Sequence, residues 1–551
     1  MNKNFITAGA LFILLLLTGT DQYACTNFLI TRGASVNGAT MITYAADAHI
    51  LYGELYHWPA MDYPDGAMLD IYEWDTGKFL GRIRQVRHTY SVVGNMNENQ
   101  VAIGETTYGG RSGLTDTLGI MDYGSLIYIA LQRARSAREA IQIMGELVAE
   151  YGYCSSGESF SISDKDEVWI MELIGKGPEN KGAVWVAQRI PDGYVSAHAN
   201  QARITTFPLK DPENCLYAED VIDFAREKGW FDGKNKEFSF SDTYAPIDFS
   251  AARFCEARVW SFFNRITSGM DQYLDYAMGE NLTNRIPLWV KPEQKIPVHD
   301  VMNFMRDHYE DTPLDMTKDY GAGPFGLPYR WRPLTWEAYG EVYFNERATA
   351  TQQTGFSFVT ESRNWLPDWI GGILWFGVDD AATSVYVPMY CGINEIPENY
   401  AVGNGDMLAY SPTSAFWLFN TVTNFCYLRY NDMSADVKKL QIKLEEKFIK
   451  SKSEVDEKAA SVYDENPDKA RKIITEYSLM MASATFQEWK KLSEFLIVKY
   501  IDGNIKKEEN GKFIRDQYGK TPHPDQPGYP EWWYEKVAGD TGEHLKVKSD
   551  E

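Results

Sequence analysis

The feature that most constrains this chain is Cys25, because it directly follows an apolar N-terminal segment. Lys3 precedes a short apolar core at residues 11–17, and polar residues then lead to Ala24. This pattern predicts a removable export segment over residues 1–24, since the apolar run is shorter than the ~20 residues that span a bilayer. Removal of that segment would make Cys25 the first residue of a periplasmic or secreted protein.

A cysteine at the N-terminus would combine a nucleophile and a base in one residue. Its thiol has a reference pKa of about 8.5 and its α-amine one of about 7.7–8.0, so part of the amine is free to accept a proton near neutrality. A terminal amine that activates the adjacent nucleophile is an established route to covalent catalysis. We therefore predict that Cys25 is a catalytic nucleophile.

Two alternatives for Cys25 are a lipidated cysteine and an incidental one. Lipidation would acylate both the amine and the thiol, but Gln22 stands where a lipidation signal has an apolar residue. Gln22 also fits ordinary signal cleavage poorly, which favours cleavage a few residues earlier and then removal of a short propeptide. Exposure of Cys25 by signal cleavage alone and by propeptide autoprocessing both stay open.

The residues after Cys25 predict a β-hairpin, with strands at residues 26–31 and 39–47. In the register that the intervening turn sets, Cys25 lies opposite Ala46 and beside Asp47. Asp47 is therefore expected in the active site. The alternative is a residue at the end of a strand that hydrogen-bonds its own loop.

Farther along, blocks of strand and helix patterns predict an α+β fold with layered sheets and helices rather than a parallel βαβ repeat. A β region at residues 90–108 precedes a helix that begins with a capping box at Ser136. More strand patterns follow between residues 159 and 197. Residues 435–500 are helical and highly charged, with a break near Asn466.

Composition limits the class of protein and its partners. The 44% hydrophobic and 14% aromatic content is typical of a folded globular chain. The formal net charge of −23 disfavours nucleic acid and anionic membranes as partners. No second apolar run is long enough for a membrane span, so we expect a soluble mature protein. The six cysteines are too few for a disulfide framework in 551 residues, which favours buried free thiols.

Other catalytic motifs are missing from the sequence. It has no H-E-x-x-H, G-x-S-x-G, P-loop or G-x-G-x-x-G motif, and its eight histidines do not follow zinc spacing. We therefore expect neither a metal nor a cofactor, and Cys25 is left as the one sharp candidate for a nucleophile.

The chain resembles the N-terminal-cysteine dipeptidases. The resemblance is carried by the runs Cys-Thr-Asn-Phe-Leu-Ile-Thr-Arg-Gly-Ala-Ser at 25–35 and Asn-Glu-Asn-Gln-Val-Ala-Ile-Gly-Glu at 97–105, and by residues 38–42, 130–141, 157–160, 168–169 and 375–390. That family belongs to the N-terminal-nucleophile hydrolases, which also include penicillin and conjugated-bile-acid amidases. The resemblance implies an αββα sandwich with two antiparallel sheets. It implies a catalytic domain at 25–430, and the helical pattern predicts a C-terminal lobe and tail packed on it at 431–551.

The resemblance also implies roles for individual residues. Cys25 matches the nucleophile, with its own α-amine as general base, and Asp47 matches the aspartate that follows the second strand. Asn200 matches an asparagine that supplies an oxyanion-hole donor. Arg253 matches an active-site arginine, with Arg258 as the alternative.

Departures from the family pattern concern the substrate pocket. Many relatives have an arginine a few residues before the aspartate, where this chain has Tyr44. Amidase relatives place an asparagine after the second hairpin, where this chain has Glu105 and, two residues later, Thr107. We assign these three residues to substrate binding, and either Glu105 or Asp47 to the ammonium group of a short peptide.

The function predicted from the sequence is therefore hydrolysis of dipeptides or short peptides through a thioester on Cys25. One alternative is an amidase that acts on N-acyl amino acids or conjugated small molecules. Another is a non-enzymatic surface lipoprotein that binds glycans or peptides. Whether copies of the chain form a homo-oligomer is left open.

Overall fold

Two large antiparallel sheets form the centre of the molecule. The computed structural model describes residues 25–548. The strands of the two sheets, in chain order, are β1 (Asn27–Ile30), β2 (Met41–Asp47), β3 (His57–Trp58), β4 (Val92–Val93), β5 (Met96–Asn97), β6 (Ala102–Tyr108), β7 (Gly157–Ser163), β8 (Val168–Gly175), β9 (Ala183–Arg189), β10 (Val195–His198), β11 (Cys215–Tyr217), β12 (Trp289–Val290), β13 (Thr354–Ser362), β14 (Gly372–Val378) and β15 (Val387–Tyr390).

The first sheet has seven strands in the order β12-β10-β1-β2-β13-β14-β15, and the second has eight in the order β11-β9-β8-β7-β6-β5-β4-β3. Every described pairing within them is antiparallel. Smaller hairpins pair Met61–Asp62 with His88–Thr89, Met68–Tyr72 with Phe79–Arg84, Thr335–Ala338 with Glu341–Phe344, and Glu508–Glu509 with Lys512–Phe513.

The described residues include twelve α-helices. They are α1 (Tyr123–Arg133), α2 (Ala137–Tyr151), α3 (Asp223–Glu227), α4 (Phe240–Tyr244), α5 (Ala257–Ile266), α6 (Leu274–Ala277), α7 (Val298–Phe304), α8 (Asp368–Gly371), α9 (Ala415–Leu428), α10 (Tyr430–Tyr463), α11 (Pro467–Tyr500) and α12 (Glu531–Thr541). A π-helix, Ala251–Glu256, runs directly into α5. Among the described helices, none is both long and apolar enough to cross a membrane.

The elements stack in four layers. Strands β1 and β2 pack against β6 and β7, so the two sheets face each other. Helices α1 and α2 pack on the outer face of the eight-stranded sheet, and α9, α10 and α11 pack on the seven-stranded sheet. The α+β class with two antiparallel sheets is thus confirmed, together with the added C-terminal helices.

The helix boundaries follow local sequence signals. Ser136 caps α2 by accepting a hydrogen bond from the backbone of Glu139, and Gly152 ends that helix with a φ of 77°. Asn466 caps α11, and Pro467 occupies its first turn, where a missing N–H costs nothing. The predicted break in the charged helical region is therefore confirmed.

The C-terminal helices are joined to the seven-stranded sheet through buried ion pairs. The Lys452 ammonium of α10 lies 2.6 Å from a carboxylate oxygen of Glu361 in β13, and both groups are buried. Arg306, which follows α7, pairs with Glu445 of α10 at 2.5 Å. Such pairs depend on both partners, because a single buried charge is costly. The division into domains at residue 430 stays a prediction.

The hairpin register places Cys25 as the sequence predicts. Leu29 pairs with Ile42, and an isolated bridge joins Thr26 to Ala45. The same register sets Cys25 opposite Ala46. A turn of fixed length thus brings the end of β2 beside the residue that begins the described chain. The predicted export segment, residues 1–24, lies outside the described residues.

Candidate active site

Cys25 lies two residues before β1 in a buried setting, with 3% of its surface exposed. Its sulfur is 3.9 Å from the hydroxyl of Tyr44 in β2 and 3.8 Å from Oε1 of Glu105 in β6. The Tyr44 hydroxyl donates a hydrogen bond of 2.5 Å to the same carboxylate oxygen. The candidate nucleophile therefore contacts residues from both sheets, including two of the predicted substrate-binding residues.

The Cys25 thiol is not activated by these neighbours. Burial raises its pKa well above the usual value, and the negative charges of Glu105 and Asp47 raise it further. The thiol is therefore protonated near neutral pH. A base must take its proton before or during attack on a carbonyl, which is the task predicted for a terminal amine.

A pair of buried glutamates lies behind the thiol. Burial raises the pKa of Glu105 to about 7, and the pKa of Glu158 in β7 is raised well above its usual value by burial and by the charge of Glu105. The Glu158 side chain accepts a hydrogen bond of 2.9 Å from Thr107. Two adjacent buried carboxyls hold one shared proton more readily than two charges, so the pair carries about one negative charge near neutrality.

A close approach of the two sheets brings Glu105 to the nucleophile. Gly104 precedes it in β6, and a Cβ there would lie 2.8 Å from Nδ2 of Asn27 and 3.1 Å from the carbonyl oxygen of Thr43. Only glycine fits at this crossing without displacing β1 or β2. The glycine thus explains how a carboxylate from the second sheet reaches a thiol on the first.

Arg258 of α5 holds the backbone around Cys25. Its guanidinium donates to the carbonyl oxygen of Cys25 at 2.5 Å and to the hydroxyl of Thr26 at 2.8 Å. The same group donates to the Ala199 carbonyl oxygen at 3.2 Å and to Oδ1 of Asn200 at 2.9 Å. Arg258 is fully buried, and it links the nucleophile to the predicted oxyanion-hole residue.

Asn200 makes hydrogen bonds to Arg258 and to Thr107, one of the predicted substrate-binding residues. Its φ of 62° is in the left-handed region, which asparagine tolerates better than most residues. Its side-chain amide donates to the Thr107 carbonyl oxygen at 2.7 Å, while its oxygen accepts from Arg258. A carboxamide has two N–H donors, so one remains for a developing oxyanion.

Asp47, the last residue of β2, makes contacts with residues that are distant in the sequence. Its carboxylate lies 2.6 Å from the Arg347 guanidinium and accepts a hydrogen bond of 2.6 Å from Thr354 in β13. Its backbone carbonyl accepts a hydrogen bond of 3.1 Å from Gln353. The predicted alternative of a carboxylate bonded to its own loop does not match these long-range contacts.

The structure brings Arg258 to Cys25 and places Arg253 elsewhere. Arg253 lies in the π-helix, where it pairs with Glu346 and stacks on the Phe344 ring. A π-helix before α5 changes the angle between these two arginines, and the sequence pattern gives no sign of it. Arg258 is therefore the arginine that the geometry favours for the active site.

Two groups near the site were not predicted from the sequence, namely the Glu158 carboxyl and the Arg347 guanidinium. Only the alternation of β7, which puts Glu158 near Glu105, could have indicated the first. No local pattern marks the second, which is 300 residues from its partner Asp47. In the part of the chain that the structure describes, no group of histidine, cysteine and carboxylate side chains could hold a metal ion.

Comparison with known proteins identifies the family. Peptidase family C69 matches residues 24–443, which is more than half of the chain. The protein therefore belongs to peptidase family C69 and is a hydrolase of peptide bonds. The resemblance to N-terminal-cysteine dipeptidases is confirmed.

Curated relatives carry matching names. A "Probable dipeptidase" of Latilactobacillus sakei is 25% identical over 398 residues, which cover 68% of this chain and 76% of the relative. "Probable dipeptidase B" of Lactococcus lactis is 23% identical over 506 residues, which cover 86% of this chain and 95% of the relative. The solved structure of penicillin V acylase from Agrobacterium tumefaciens aligns over 64% of this chain and 83% of that one, with 11% identity. Its TM-score of 0.26 is too low to support an inference.

Proposed function

We propose that the protein is an exported dipeptidase whose nucleophile is Cys25, exposed as the N-terminal residue after removal of residues 1–24. The observation that carries the proposal is the position of Cys25 where the two sheets meet, with its thiol against Glu105 and its backbone carbonyl oxygen held by Arg258. The family match begins at residue 24, one residue before Cys25. The names of the curated relatives support dipeptides as substrates.

The proposed reaction uses the Cys25 α-amine as general base. The amine takes the thiol proton, the sulfur attacks the peptide carbonyl carbon, and the carbonyl oxygen becomes an oxyanion stabilised by the Asn200 amide. The resulting ammonium gives its proton to the leaving amine as the C–N bond breaks, which leaves a thioester. Water then attacks the thioester with the amine again as base, and the acid product and free thiol are released.

The Glu105 carboxylate is the proposed partner of the substrate's free ammonium group. It lies 3.8 Å from the nucleophile and is oriented by the Tyr44 hydroxyl, so a cation beside it would be near the attacked carbonyl. An N-acyl amino acid has no such cation. Comparison of a dipeptide with its N-acetyl derivative therefore separates a dipeptidase from an amidase for N-acyl substrates, since the dipeptidase cleaves only the free form.

The nucleophile is tested by Cys25→Ser, with Cys154→Ser as the matched control. Cys154 is a half-exposed thiol that lies against the Met121 carbonyl oxygen, with no contact to the Glu105–Arg258 region among the described residues. We expect Cys25→Ser to lose nearly all dipeptide turnover and the control to keep it. Mass spectrometry of quenched wild-type enzyme should show an acyl adduct on the peptide that begins with Cys25. Undiminished turnover by Cys25→Ser would exclude the mechanism.

Export and maturation are tested on protein made in its native host. Intact mass and N-terminal sequencing of the periplasmic, medium and membrane fractions should show a chain that begins with a free Cys25 amine outside the cytoplasm. A longer N-terminus on fully active protein would remove the proposed base. A doubly acylated Cys25 in the membrane fraction would instead support the surface-lipoprotein alternative.

A further inference from the structure

We infer that Arg332 binds the free α-carboxylate of the substrate and so restricts the enzyme to peptides that end one residue after the cleaved bond. This inference rests on the proposed function, because it concerns the same active site. It assigns a second substrate contact, opposite in charge to that of Glu105 and contributed by a loop that the sequence did not mark as functional.

Arg332 forms no ion pair within residues 25–548, although the charge of Asp47 acts on it from a longer distance. Its guanidinium donates to Oε1 of Gln353 from two nitrogens, one of them at 2.9 Å. That acceptor is a neutral amide, and Arg332 has no ion-pair partner among residues 25–548. A half-buried guanidinium usually has a carboxylate or phosphate partner because its desolvation is costly. The arrangement is therefore suited to an anionic ligand.

A chain of hydrogen bonds joins Arg332 to the end of β2, which lies beside Cys25. The Gln353 side chain that accepts from Arg332 donates in turn to the backbone carbonyl oxygen of Asp47, the residue that follows the Cys25 pairing position. Positive charges of Arg347 and Arg258 act on Arg332 as well. Burial and repulsion from these two groups lower its pKa to about 10, so it stays cationic at neutral pH.

The Arg332 guanidinium lines a cleft together with Arg347, Asn345 and Gln352. Glu346 also lines this cleft, but it pairs with Arg253. Arg347 is already paired with Asp47, so the unpaired charge in the cleft is that of Arg332. A carboxylate could accept two parallel hydrogen bonds from the planar guanidinium of Arg332.

The two ends of a dipeptide are opposite in charge to two sets of groups near Cys25. Glu105 presents a negative charge to the thiol, whereas Arg258, Arg347 and Arg332 carry positive charges near Asp47. A free dipeptide has an ammonium at one end and a carboxylate at the other, about 7 Å apart at most when extended. A substrate held at both ends leaves no room for further residues, which explains selection by length.

The test compares a free dipeptide with its C-terminal amide, in the full-length mature enzyme and in Arg332→Gln. We expect wild-type kcat/KM to be about 10- to 100-fold higher for the free acid, the range typical of a hydrogen-bonded ion contact. Arg332→Gln should lower kcat/KM for the acid by a similar factor, mainly through KM, and leave the amide nearly unchanged. Arg332→Lys should have a kcat/KM for the acid between those of the wild type and Arg332→Gln, because lysine keeps the charge but lacks the planar guanidinium.

Arg330→Gln is the matched control. Arg330 lines the same cleft, but it pairs with Asp319 at 2.6 Å and donates to the carbonyl oxygens of Met316 and Leu327, so it has no unpaired charge to offer. We expect this variant to keep the wild-type preference for the free acid. A Cys25→Ser background adds a binding measurement by calorimetry, in which Arg332→Gln should weaken binding of the dipeptide and not of its amide.

The failures of the two proposals are distinguishable. If the wild-type enzyme hydrolyses neither the dipeptide nor its amide, the proposed function is wrong. If it hydrolyses dipeptides and Arg332→Gln keeps the full preference for the free acid, the inference about Arg332 is overturned. Circular dichroism shows whether Arg332→Gln folds. If it does not, Arg332→Lys and the wild-type ratio of kcat/KM for the acid and the amide take its place. Equal kcat/KM values for the acid and the amide in the wild type would overturn the inference.

Discussion

Glu105→Gln should make the protein more stable and less active, and the gain in stability should depend on pH. The side chain is 2% exposed and lies against the equally buried carboxyl of Glu158. A glutamine has the same shape, keeps an acceptor for Tyr44, and brings an amide that can donate to Glu158. We therefore expect the variant to fold.

The magnitude follows from the pKa of Glu105, which burial raises from 4.5 to about 7 in the folded protein. Because the folded-state pKa is above the unfolded value, the protonated carboxyl favours folding below pH 4.5, and this contribution is lost as the pH rises through 7. At about 1.4 kcal/mol per pKa unit, the unfolding free energy of the wild type falls by roughly 3 kcal/mol between pH 4.5 and pH 8, whereas that of Glu105→Gln does not. The difference in unfolding free energy should be near zero at pH 4.5 and reach its maximum at pH 8.

Urea unfolding followed by tryptophan fluorescence at pH 4.5, 6, 7 and 8 measures this difference. Glu146→Gln on α2 is the control, since that carboxyl is exposed and its replacement should leave stability unchanged at every pH. A constant difference between wild type and Glu105→Gln from pH 4.5 to 8 would refute the reasoning. It would mean that the Glu105 carboxyl does not change its charge in the folded protein over this range.

Glu105→Gln also tests whether Glu105 binds the ammonium group of the substrate. Loss of an ionic hydrogen bond to the ammonium group should lower kcat/KM for a free dipeptide by roughly 10- to 100-fold, mainly through KM. A fall in kcat at constant KM would instead indicate that Glu105, which contacts the thiol, accepts its proton. In the wild type, kcat/KM should rise with pH through about 7 as the carboxylate forms.

Three further variants test other parts of the site and fold. Arg258→Lys should lower kcat by about 10-fold or more in steady-state assays, because an ammonium cannot keep the bonds to both Cys25 and Asn200; unchanged kcat would contradict a positioning role. Asn200→Gly keeps the left-handed backbone accessible and removes the side-chain donor, so kcat should fall about 10²–10³-fold, and a smaller loss would place the oxyanion donor elsewhere. Lys452→Met leaves Glu361 buried without its cation, so the unfolding free energy should fall by about 3–5 kcal/mol in urea titrations, with the exposed Lys450→Met as control. A loss below 1 kcal/mol would show that the pair does not join α10 to the sheet.

Local sequence determined the parts of the site that neighbouring residues build. The turn length after β1 fixed the register that sets Cys25 opposite Ala46, because a hairpin has few ways to close. Caps and breakers likewise fixed the ends of α2 and the break between α10 and α11. In each case the interaction spans a few residues, so its signal is present in the local pattern.

The tertiary structure alone decided which charged groups surround the nucleophile. Arg258 is 233 residues from Cys25, yet the fold brings its guanidinium to the Cys25 carbonyl oxygen, whereas Arg253 pairs with Glu346. Arg332 shows no pattern that distinguishes it from a surface residue, and only the alternation of β7 points to Glu158. Whether a charge is neutralised depends on burial and on which groups the packed sheets and loops bring within a few ångströms, and a sequence read locally does not contain those distances.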